Sequence, residues 1–222
     1  MRPSKITRVK ICCISSLEEA RMAVAFGASA IGLVSHMPSG PGVIDENLIA
    51  QIAAVVPPAV SSFLLTCKQD ARDIIDQHRR CRTTTIQICD RLESGTYRNI
   101  RASLPGIHIV QVVHVTGEES IEEAVRAAPD VDAVLLDSGN QSLKIKELGG
   151  TGRVHDWTIS RRIREAIDKP LFLAGGLNPT NVARAISEVR PFAVDVCSGV
   201  RTGGNLDEQK LSSLFEQVKS MG

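Results

Sequence analysis

Lysine, cysteine, glutamine and aspartate recur at alternate positions of short apolar runs. Lys10 and Cys12 lie in VKICCI (9–14), Gln87 and Cys89 in TTIQICD (84–90), and Asp195 and Cys197 in AVDVCSGV (193–200). Asp137 closes AVLLDS (133–138). A spacing of two sends both members of each pair to one face of an extended strand. The apolar Val9, Ile11, Ile86, Ile88, Val194 and Val196 take the opposite face. Polar groups from different runs that converge on one mouth are candidates for chemistry. A free thiol with a pKa of about 8.5 is only a few per cent ionised at neutral pH, and Lys10 on the same face favours the thiolate. By the same alternation Cys13 faces away and reads as a small buried hydrophobe. Asp137, ending an apolar run, must be solvated, paired or catalytic. Gln87 and Asp195 serve equally well as polar groups that fill an interior.

A second set of residues could hold an anion. LAGGLNPTNV (173–182) runs through paired glycines into a helix start, and CSGV (197–200) is followed by RTGGN (201–205). Backbone N–H groups in glycine loops and at helix N-termini hold phosphate without a cation. GGTG (149–152) can close over such a ligand.

Eight apolar, β-branched runs position these groups: 9–14, 30–35, 60–67, 84–90, 108–115, 133–138, 170–176 and 193–200. Amphipathic stretches alternate with them. SSLEEARMAVAFG has a serine cap and ends at Gly27; DENLIAQIAAVV opens on Asp45 and stops before Pro57. Strands alternating with helices predict βαβ units and a parallel sheet. Eight units in a row predict a single (β/α)8 barrel domain over residues 1–222, in preference to an open doubly wound sheet. In a barrel the strand C-termini carry the active site, and the loops after strands seven and eight carry phosphate. The 19-residue connection GNQSLKIKELGGTGRVHDW after strand six is long enough to be a functional loop.

Composition excludes several classes. A net charge of +1 gives no electrostatic footprint for nucleic acid or an acidic membrane, and 3 % aromatic residues leave few stacking platforms. No apolar run approaches the ~20 residues of a membrane span. The opening MRPSKITRVK is too polar for a secretory segment. The six cysteines show no zinc spacing, so no metal is expected, and they read as free thiols of a reducing cytoplasm.

Taken in order, KICCIS, QIC, LLDS, GGTGRVHDW, LAGGLNPTNV and VDVCSGV resemble the phosphoribosylanthranilate isomerase family of tryptophan biosynthesis. The resemblance runs from residue 8 to beyond 200. It implies a cofactor-free (β/α)8 barrel whose partner is a small phosphorylated substrate. The reaction implied is an Amadori rearrangement of N-(5-phosphoribosyl)anthranilate. It puts the general base on Cys12, the general acid on Asp137, and the phosphate on the backbone of Gly175, Gly176, Ser198 and Gly199. Lys10, Gln87, Asp195, Arg201 and Arg91 are further candidates for substrate contact.

Three departures stand against that pattern. The glycine of the family's KICG is Cys13 here, and the family's QLHG reads QICD (87–90). The loop after strand two has Gly42 where the family carries an arginine that pairs with the anthranilate carboxylate. Arg201 or Arg91 could take over that carboxylate. Alternatively, the enzyme is a paralogous isomerase with a different phosphorylated sugar substrate, or the chain is a non-catalytic sugar-phosphate binder.

Overall fold

The computed structural model describes residues 6–139, 143, 145–150 and 152–222. Eight parallel strands close into a barrel in sequence order: β1 (Arg8–Ile11), β2 (Ala30–Val34), β3 (Ser61–Thr66), β4 (Thr85–Ile88), β5 (His108–His114), β6 (Ala133–Asp137), β7 (Leu171–Leu173) and β8 (Ala193–Val196). The seam joins first to last strand, with Lys10 opposite Asp195 and Ile11 opposite Val196. Each predicted apolar run overlaps one of these strands, β1 starting one residue before its run.

Helices α1 (Leu17–Phe26), α2 (Glu46–Val55), α3 (Ala71–Cys81), α4 (Tyr97–Ser103), α5 (Glu119–Ala127), α6 (Trp157–Ala166), α7 (Val182–Val189) and α8 (Glu208–Lys219) return the chain between strands and close it. The Ser16 side chain accepts from the Glu19 N–H at the start of α1, and Gly27 ends that helix in a left-handed conformation. Asp45 accepts from Asn47 and Leu48 at the start of α2. No helix among the described residues is long and apolar enough to cross a membrane.

Alternation along the strands divides the core in two. Val9, Ile11, Ile31, Leu33, Ile86, Ile88, Val194 and Val196 pack outward under the helices. Ala30, Phe63, Leu65, Val110, Val112, Leu135, Phe172 and Ala193 fill the lumen with Cys12. The barrel is thus a packed core, and only its rim is free to bind.

The loops after β2 and β6 meet across that rim. The Ser39 hydroxyl donates to the Lys146 carbonyl at 2.8 Å, and Lys146 Nζ pairs with the buried Asp90 carboxylate at 2.6 Å. The aspartate of QICD therefore ties the long sixth loop to the end of β4.

Candidate active site

At the strand C-termini lies a cleft of about 660 Å³, counted out to open solvent. Cys12, Asp137, Gln87, Cys89, Asp195, Gly175, Gly176, Cys197 and Ser198 all line it. Residues from five strands or their loops thus meet where alternation placed them. Gly199 does not line the cleft; it lies against the Leu177 carbonyl, where a side chain would collide. Gly152 lines the wall, while Thr151 lies outside the described residues.

Lys10 is fully buried beneath the cleft rather than in its wall, with Nζ 2.7 Å from Asp195 Oδ2. Opposite, Gly32 of β2 leaves room for this layer: a Cβ there would stand 2.7 Å from Cys12 Sγ and 3.0 Å from Lys10 Nζ. Burial opposes the charge on Lys10, but Asp195 and neighbouring thiols outweigh it and raise its pKa. The cation is therefore fixed and committed to its partner.

Burial pushes the Cys12 thiol up to about 11, against the opposing pull of Lys10. The expectation that Lys10 favours the thiolate has the right sign, but desolvation is the larger effect. Burial likewise raises the Asp137 carboxyl; the Ser138 N–H, donating at 2.7 Å, and His114 oppose it, while Asp195 adds to the rise. Gly149 of the sixth loop approaches so closely that a Cβ would lie 2.5 Å from Asp137 Oδ2. Asp195 Oδ1 and Gln87 Oε1 are buried acceptors with no hydrogen-bond partner among the described residues. An acceptor left so is costly, and a ligand hydroxyl or amine is one way to satisfy it.

The glycine pair turns where anticipated. Gly175 and Gly176 have φ of 82° and 63°, a region that disfavours side chains. His155 of the sixth loop packs against this turn: a Cβ on Gly175 would lie 2.9 Å from its Nδ1. Burial lowers the His155 pKa to about 4, and Nε2 lies 2.8 Å from the Ser160 hydroxyl. A neutral imidazole thus braces the loop.

Three expectations need correction. Cys13 does not face the helices. β1 stops at Ile11, and Cys13 has a left-handed φ of 61°, which breaks the alternation and turns the side chain to the cleft. The family's glycine at this position suits that conformation. Nor are all six cysteines free: Cys13 and Cys197 form a disulfide across the β1–β8 seam, with Cα atoms 5.8 Å apart. Among the described residues Cys12, Cys67, Cys81 and Cys89 remain free thiols.

Neither Arg201 nor Arg91 reaches the cleft. Arg201 forms a fork with Glu19 at 2.8 and 2.9 Å and donates to the Cys13 carbonyl. Burial works to raise the Glu19 carboxyl, but Arg201 and the Ser15 and Leu206 N–H groups hold it at about 2. Arg91 pairs with Glu123 at 3.0 Å on the outer surface. The sequence reading also missed Met37, Pro41 and Leu148, apolar walls supplied by the second and sixth loops; MPSGPG, noticed only for Gly42, was the available signal.

The arrangement is a cleft with a buried thiol, a buried carboxyl and a glycine turn. Its likeness extends to known proteins. The family described as N-(5'phosphoribosyl)anthranilate (PRA) isomerase matches residues 9–217. An N-(5'-phosphoribosyl)anthranilate isomerase of Methanocella arvoryzae is 35 % identical, covering 96 % of this chain and 99 % of the relative. The crystal structure of phosphoribosyl anthranilate isomerase from Thermotoga maritima superposes with a TM-score of 0.80 at 30 % identity, covering 97 % of this chain and all of that one. A second crystal structure of such an isomerase, in complex with reduced 1-(o-carboxyphenylamino)-1-deoxyribulose 5-phosphate, gives 0.78 at 29 % identity with the same coverage.

Proposed function

Because this chain belongs to the N-(5'-phosphoribosyl)anthranilate isomerase family, we propose that its cleft rearranges N-(5-phosphoribosyl)anthranilate to 1-(2-carboxyphenylamino)-1-deoxyribulose 5-phosphate, with Asp137 as acid and Cys12 as base. The observation that carries the residue roles is the placement of a buried thiol and a buried carboxyl in the wall of one cleft.

The raised Asp137 carboxyl holds a proton for the ribose ring oxygen. As the C1–O bond breaks, the nitrogen lone pair forms an iminium and the ring opens. The iminium acidifies the C2 proton. It is also a cation formed beside Cys12, so it favours the thiolate that burial disfavours. Cys12 gives its own proton to solvent, and the thiolate takes the proton from C2. The resulting enolamine tautomerises to the ketone. No electrons leave the substrate, so the reaction needs no redox cofactor.

The phosphate sits at the Gly175–Gly176 turn and Ser198, held by backbone N–H groups. Asp195 Oδ1 and Gln87 Oε1 accept from sugar hydroxyls or the amine, which removes the cost of leaving them unpaired. The fixed Lys10–Asp195 pair keeps Asp195 oriented toward the sugar.

Turnover of N-(5-phosphoribosyl)anthranilate by the purified protein tests this. Cys12→Ser and Asp137→Asn should each lower kcat by about 10²–10⁴, the range of a lost acid or base, with KM little changed. A kcat unaffected by both substitutions would remove the assignment.

A further inference from the structure

We propose that Cys13 and Gly42 set the specificity of the cleft beyond the sugar, so that the enzyme accepts N-(5-phosphoribosyl) amines lacking a carboxylate to within tenfold of the anthranilate substrate. The inference rests on the isomerase reading and deepens it.

The ligand seen in the neighbouring crystal structure carries two anions, a phosphate and an ortho-carboxylate. Among the described residues, the cleft answers only the first. Its glycine turn and Ser198 give a phosphate backbone donors at the β7–β8 side. Among the described residues that line the cleft there is no lysine or arginine, and the ionisable side chains there are Asp137, Asp195 and the thiols. The buried Lys10 is committed to Asp195 at 2.7 Å. The orphaned atoms in the wall, Asp195 Oδ1 and Gln87 Oε1, are acceptors and have no hydrogen for a carboxylate. An anion placed among acceptors without a counter-charge loses hydration and gains nothing in return.

This neutrality is built into the backbone. Gly42 has a φ of 79°, and a Cβ on it would stand 2.5 Å from Cys13 Cβ and 2.9 Å from Cys13 Cα. Cys13 cannot retreat, because the disulfide to Cys197 fixes its side chain and Arg201 holds its carbonyl. The space from which position 42 could send any side chain into the cleft is therefore occupied. Met37, Pro41 and Leu148 complete an apolar wall suited to an uncharged group. Specificity of this kind comes as much from what a site refuses as from what it grips.

Calorimetry with two stable reduced analogues, N-(5-phosphoribityl)anthranilate and N-(5-phosphoribityl)aniline, reads the preference without turnover. The anthranilate analogue should bind no more than tenfold tighter than the aniline analogue, and the kcat/KM ratio of the two parent substrates should agree. A preference for the carboxylate above tenfold would overturn the inference. Binding of both analogues without turnover of either parent would remove the isomerase reading and leave the preference standing; binding of neither would remove both. Cys13→Gly combined with Gly42→Arg should shift the binding ratio at least tenfold toward the anthranilate analogue. A folded double variant with an unchanged ratio would take the role from these two residues.

Discussion

The two sides of the cleft are built on different principles. On the β7–β8 side the wall is backbone: Gly175 and Gly176 take left-handed conformations, and the phosphate contacts proposed there are N–H groups, so few side chains are needed. On the β1–β2 side the wall is made of side chains whose positions depend on one another. Cys13 is held by Cys197 and Arg201, Arg201 by Glu19, and Cys13 in turn excludes a side chain from position 42. A backbone site can be recognised from glycine placement alone. A wall of coupled side chains can be remade by a change at one of them.

The sharpest way to break that contrast is to alter the backbone side. In Gly176→Ala the new Cβ would meet Arg153 and Gly152 backbone at 2.7–2.9 Å, with φ at 63°. Backbone cannot swing aside like a flexible side chain, so the turn must move. KM for the phosphorylated substrate should rise at least tenfold with a smaller effect on kcat, as steady-state kinetics will show. An unchanged KM would mean that the turn does not bind phosphate.

A smaller effect sharpens the other side. Cys13→Ser and Cys13→Gly both remove the disulfide, but only glycine accepts a φ of 61° without cost. Cys13→Gly should be more stable than Cys13→Ser by about 1–2 kcal/mol, measured by urea unfolding. Equal stabilities would show that Cys13 is not held in that conformation.

The smallest effect concerns the support behind the wall. The Glu19 carboxyl is held at about 2, below its ordinary value of 4.5. A depressed carboxyl contributes stability that is present above the unfolded pKa and is lost as pH falls through the folded one. Tm should therefore decline between about pH 4.5 and 2, and Glu19→Gln should flatten that part of the profile. An identical acid profile in both proteins would separate Glu19 from the acid response.

The barrel was legible because period-two alternation and the recurring strand–helix spacing are properties of local sequence. The inward set of Cys12, Gln87, Asp137 and Asp195 followed from the same parity. Parity failed at Cys13 because it holds only while the strand continues, and β1 ends two residues earlier. Residue type carried no sign of a left-handed cysteine; only the family's glycine hinted at one. Arg201 and Arg91 were misplaced because a long guanidinium side chain goes where its counter-charge is. Those partners, Glu19 and Glu123, lie 182 and 32 residues away in sequence. The sequence named Cys13 and Cys197, but their meeting depended on closure of the first strand upon the last.

That closure has a topological result. The cystine encloses 184 residues of sequence separation, from the end of β1 to the end of β8, in one covalent ring. A protease that nicks any surface loop within the ring would open it without releasing a fragment. Nicked molecules would migrate as one chain on a denaturing gel until a reductant parts them into two.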